Sequence, residues 1–96
     1  MVIEFLTFEV DPADREAWMA VEAGTWSRFL ERQPGFLGKQ LWVEEADPGK
    51  VHAMIRWADR ESWFSIAADQ LAAVDAAMGP MLRDCTCRTF DVIREY

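Results

Sequence analysis

In the segment WMAVEAGTW, residues 18–26, Glu22 stands four residues after Trp18 and four before Trp26. On a helix that spacing lines the three side chains along one face. A carboxylate set between two indoles is partly desolvated, which raises its pKa and suits it to general acid–base work. The single histidine, His52, is the second group able to move a proton near neutral pH. If the two converge across a helix–sheet gap, they form an acid–base pair walled by Trp. Each also has a plainer reading. Glu22 can reach water at an open edge or pair with Arg15, which lies within about 20° of it on the helical wheel. His52 can pair with a strand carboxylate such as Glu44 or settle at a subunit interface, and no metal-ligand companion for it is visible.

Five tryptophans, Trp18, Trp26, Trp42, Trp57 and Trp63, are many for 96 residues. Taken singly each is more often a core residue than a ligand contact. Together, over a small sheet, they can leave a flat slot for an aromatic ligand. Trp18, Trp26 and Trp63 are then its walls, and Gln40 and Arg56 its polar fixings. Asp75 falls at the edge of an apolar helix face and reads as solvated. Cys85 and Cys87 would point the same way on a strand; two thiols cannot complete a structural zinc site, so they read as reduced, buried packing residues. No glycine-rich phosphate loop, nucleophile elbow or carboxylate-rich metal cluster appears, and no metal or cofactor is expected.

The elements that would position these groups fit one domain, residues 1–96. The chain is 51% hydrophobic with a net charge of −7. Such a surface repels phosphate backbones and anionic lipid, so neither nucleic acid nor membrane is an expected partner. The N-terminus begins as an apolar–acidic alternation with no leader pattern, and no apolar run approaches spanning length; a soluble, cytoplasmic protein is expected.

VIEFLTFEV, residues 2–10, reads as a strand with Val2, Leu6, Phe8 and Val10 on one face and Ile3, Phe5 and Thr7 on the other. Asp11 and Pro12 start a helix that should run to about Gln33, where Pro34-Gly35 ends it. Residues 36–45 and 50–58 form a strand pair turning at Asp47-Pro48-Gly49. Pairing Glu44 with His52 collects Leu37, Leu41, Val43, Val51, Ala53, Ile55 and Trp57 on one face, and Gln40, Trp42, Glu44, His52, Met54 and Arg56 on the other. Asp59 caps a second helical region, with a break expected at Ala67-Ala68-Asp69, and residues 86–95 form the last strand.

The order β-α-β-β-α-β is the ferredoxin-like α+β arrangement, a four-stranded antiparallel sheet with both helices on one face. Two helices cover one face only, yet the first strand is apolar on both. The simplest cover is a second copy packed sheet to sheet, so a homodimer is expected, with a small aromatic molecule as the candidate ligand.

MIRWADRESW, where a Trp closes the third strand before an acidic helix start, resembles the dimeric α/β-barrel superfamily. With DREAWMAVEAGTWSRFLERQPGF and GKVHAMIRWADRESW, the chain resembles a small uncharacterised family among its antibiotic-biosynthesis-monooxygenase-like members. The resemblance spans nearly the whole chain and is specific for fold rather than chemistry. It implies either cofactor-independent oxygenation of polycyclic phenols or haem degradation. The haem pattern, an Asn on the first strand with a Trp and a His on the second helical region, is met only by Trp63: the chain has no Asn, and His52 lies on the third strand. The phenol oxygenases commonly use Asn, Trp and Tyr, and the only Tyr here is Tyr96. The expected function is a pocket protein oxygenating an aromatic or polyketide-like substrate, with Glu22 as acid–base residue and His52 as proton partner. The alternative is a non-catalytic ligand-binding or structural dimer. A site predicts an open cavity beside Glu22; a structural dimer predicts rings filling it.

Overall fold

The computed structural model describes residues 1–96. Strand β1, Val2–Glu9, is followed by a 3₁₀ turn, Pro12–Asp14, that leads into helix α1, Arg15–Glu22. The Asp11 carboxylate accepts the Ala13 N–H at 2.8 Å, and Pro12, which has no N–H to satisfy, takes the first position. A five-residue π turn, Ala23–Ser27, then joins α1 to α2, Arg28–Glu31, with the backbone right-handed at every junction. Strands β2, Phe36–Glu44, and β3, Asp47–Trp57, form a hairpin. Helices α3, Arg60–Phe64, and α4, Ala68–Ala77, divide the second helical region at residues 65–67, slightly ahead of the expected Ala67-Ala68-Asp69, and β4, Cys85–Asp91, ends the sheet short of the expected residue 95. Asp59 caps α3 by accepting the Ser62 N–H at 2.7 Å.

The four strands pair antiparallel in the order β2-β3-β1-β4, with the helices on one face: the ferredoxin-like α+β fold. Val2, Ala53, Ile55 and Trp57 meet Leu30 in one part of the core, while Val10 and Val51 meet Trp18 and Met78 in the other. Trp57 and Ile55 are fully buried, so the sheet centre is dry. No helix is long and apolar enough to cross a membrane.

The hairpin departs from expectation in two respects. The turn lies at Glu45-Ala46 rather than Asp47-Pro48-Gly49, and His52 pairs with Trp42 rather than Glu44. Pro48 explains both, because it cannot donate to a ladder. Pairing jumps from Val43–Val51 to Glu44–Asp47, and the intervening carbonyls turn elsewhere: Pro48 to Arg15 at 2.7 Å, Gly49 to the Val10 N–H at 2.9 Å. The register slides by two residues, an even number, so the face assignments on β3 survive. Leu37 is an exception. A second irregularity between Phe36 and Gly38 leaves Leu37 exposed, while Phe36 packs edge-on against Trp57. Cys85 and Cys87 are free and exposed rather than buried, because β4 is an edge strand that no helix covers fully.

Candidate functional site

Glu22 closes α1 at the start of the π turn. In a π turn residues five apart come into register, and Ser27, five residues on, donates its hydroxyl to Glu22 Oε1 at 2.8 Å and Oε2 at 2.9 Å. Lys39 of β2 reaches up from the sheet and forms an ion pair with Oε1. Both side chains are almost sealed, Lys39 at 10% and Glu22 at 4% exposure. Arg15, the partner suggested by the helical wheel, instead bonds the Pro48 carbonyl. Glu22 is therefore neither solvated nor bare: a buried cation and a hydroxyl satisfy it, as a buried charge requires.

Beside this pair lies a cavity of about 440 Å³, between the helices and the inner face of the sheet and partly open to solvent. Trp18, Trp26 and Trp63 all line it, as do Glu22 and Lys39. Two of the rings are held by other residues of the cavity lining. Trp18 packs on Phe8 with centroids 5.0 Å apart, and Trp26 donates its indole N–H to Asp75 at 3.1 Å, tying the π turn to α4. Asp75 is exposed, as expected, and also serves as this hydrogen-bond acceptor. The buried indole N–H of Trp18 has no partner at all.

Sequence reasoning missed two charged residues of this site, Glu4 and Lys39. Alternation could have found both. Glu4 falls between Val2 and Leu6 on the inner side of β1, and Lys39 sits two residues before Leu41 on the inner side of β2. Glu4, Ile55 and Lys39 occupy one row across three strands. The indole of Trp57 donates to Glu4 Oε1 at 3.0 Å. Burial pushes the Glu4 carboxyl above its ordinary value of 4.5, with the Trp57 hydrogen bond and the Lys39 charge pulling it partly back.

His52 is on the other side of the sheet. It alternates with the buried Val51 and Ala53, accepts or donates at Thr7 Oγ1 through Nδ1 at 2.9 Å, and stacks on Phe5 with centroids 5.3 Å apart. Gln40 and Arg56 share that outer face: Gln40 accepts the Trp42 indole N–H at 2.9 Å, and Arg56 pairs in register with Ile3. The structure brings Glu22, Trp18, Trp26 and Trp63 together. The full thickness of the sheet separates them from His52, Gln40 and Arg56, so Glu22 and His52 form no acid–base pair within one chain. No cluster of three or more His, Cys, Asp or Glu suited to a metal is present.

The fold is shared with solved proteins of low sequence identity. A monooxygenase of Streptomyces coelicolor, product of ActVA-Orf6 and bound to nanaomycin D, superposes with a TM-score of 0.80 at 17% identity, covering 99% of this chain and 89% of its own. MhuD of Mycobacterium tuberculosis, a haem degrader with two haems bound, gives 0.75 at 20%, covering 100% and 99%. SnoaB, a cofactor-independent oxygenase of Streptomyces nogalater, gives 0.65 at 23%, covering 98% and 94%. No functionally curated protein matches the sequence. The profile of the antibiotic biosynthesis monooxygenase family matches residues 1–75, more than three quarters of the length, and the chain belongs to that family.

Proposed function

We propose that this protein binds a small aromatic or polyketide-like molecule in the helix–sheet cavity and oxygenates it as a cofactor-independent monooxygenase-like enzyme. The cavity itself carries the reading: about 440 Å³ walled by Trp18, Trp26 and Trp63 matches the size and lining of small-molecule sites. Flat rings select a flat ligand, and the Glu22–Lys39 pair supplies one polar end. In such chemistry the substrate supplies its own electrons. It loses a proton, its anion passes an electron to O₂, and one oxygen atom stays in the product while the other leaves as water. Family membership and the fold shared with the Streptomyces coelicolor monooxygenase support this reading.

Two copies pair through the outer sheet face in this proposal. That face carries Phe5 edge-on to both Trp42 and Phe90, and the latter two are 44% and 46% exposed in the single chain. A second reading, a binding protein without catalysis, is favoured by one observation: Glu22 already has Lys39 and Ser27 as partners.

The test pairs native mass spectrometry with oxygen uptake on a tricyclic phenol such as 1,8-dihydroxyanthrone, without added cofactor. A dimer that consumes one O₂ per substrate oxidised is the expected result. Binding without uptake would move the protein to the second reading, and absence of binding by any flat aromatic would overturn both.

A further inference from the structure

We propose that Glu4, through its Oε2 atom, is the group that accepts the proton of a ligand hydroxyl in the cavity. The inference rests on the pocket reading above and adds the acid–base residue to it. Four carboxylates border the cavity: Glu4, Glu22, Asp75 and Asp84. Both oxygens of Glu22 are held by Ser27, and Lys39 neutralises its charge. Asp75 accepts the Trp26 indole, and Asp84 is exposed to water. Glu4 alone combines burial and a position in the middle of a central strand with one oxygen engaged and the other without a protein partner.

Its setting suits the role. Trp57 is fully buried, so the N–H that binds Glu4 Oε1 is fixed in place and turns the carboxylate as a unit. Burial strengthens Glu4 as a base, whereas the Lys39 charge limits that rise. In the step itself the ligand O–H bond breaks, its electron pair stays on the ligand oxygen, and the proton moves to Glu4 Oε2. No oxidant or further reactant takes part. The ligand class is a flat, fused-ring compound bearing a weakly acidic hydroxyl.

The experiment compares 2-naphthol with naphthalene by equilibrium dialysis against the wild-type protein, Glu4→Gln and Asp84→Asn at one fixed pH. A hydroxyl bonded to a carboxylate predicts a preference for 2-naphthol of about tenfold or more in the wild type. Glu4→Gln should cut that preference at least about threefold with naphthalene affinity unchanged, since a neutral amide is the weaker acceptor. Asp84→Asn, at an exposed carboxylate on the cavity border, should retain it. Equal binding of the two probes, or a preference that survives Glu4→Gln, overturns the role of Glu4 while leaving the pocket reading standing. Failure of both probes to bind overturns both. Should Glu4→Gln not fold, the wild-type preference is read against pH. It should fall as Glu4 takes up its own proton, with naphthalene binding flat, and a preference unchanged across that range overturns the proposal. Asp75, Asp84, Cys85 and the Glu22–Lys39 pair also border the cavity, which is why the comparison of variants is made at one pH.

Discussion

At the scale of the residue, the buried Glu22–Lys39 pair and the raised carboxyl pKa of Glu4 set separate expectations. Lys39→Met leaves Glu22 buried without its cation, and chemical denaturation should show a loss of about 3–5 kcal/mol. Glu22→Leu combined with Lys39→Met should recover most of it, because an apolar pair needs no compensation. For Glu4 the sign follows from its raised carboxyl pKa. The stabilisation from that shift is fully present below the unfolded value near 4.5 and is lost as pH rises through the folded value. Glu4→Gln should therefore melt higher than wild type at pH 7, and the gap should shrink toward pH 4. Thermal scans across that range check it. Alternation along β1 and β2 already places Glu4 and Lys39 on the apolar side. Their partners are not legible, because Trp57 is 53 residues from Glu4 and Glu22 is 17 from Lys39. The identity of a partner at that separation depends on how elements stack, and no local pattern encodes it.

The elements themselves were mostly written in the chain. Asp11-Pro12 and Asp59 mark helix starts, and alternation separates Val51, Ala53, Ile55 and Trp57 from His52, Met54 and Arg56. Two features were hidden for a physical reason. A helical wheel assumes one constant rotation per residue, so it cannot register the π turn that brings Ser27 under Glu22. Pro-Gly favours a tight turn, but Pro48 and Gly49 use their carbonyls to anchor Arg15 and Val10 instead. The two glycines near this helix should respond oppositely to alanine. Gly24 lies in the π turn with open space around its α-carbon, so Gly24→Ala should stabilise by about 0.5–1 kcal/mol. Gly35 has φ of +83°, and an added Cβ would sit 2.3 Å from the Ser62 hydroxyl; Gly35→Ala should lose at least about 1–2 kcal/mol. Urea melts of the two variants check both.

For the whole molecule, the sheet is a partition. Its inner face holds the cavity; its outer face holds Trp42, His52 and Phe90 gathered around Phe5. If that outer face is the meeting place of two copies, Trp42→Glu should yield a monomer by sedimentation, because a charge cannot be buried unpaired there. The helix-side cavity should keep its ligand affinity in the variant, since Trp42 is not among its walls.

The π turn also has a consequence for how this chain tolerates change in length. Relative to an α-helix it contains one additional residue, an angular advance of roughly 100°. The residues before Ala23 and those after Ser27 thus keep two different phases, like two sections of a shaft keyed at a set offset. Deleting one residue between them restores a single phase. Ser27 then swings away from Glu22, and Leu30 turns out of the core it shares with Ile55 and Trp57. A one-residue gap there would therefore be felt at the sheet centre, whereas the same gap at the Glu45-Ala46 turn would change only the reach of a hairpin tip.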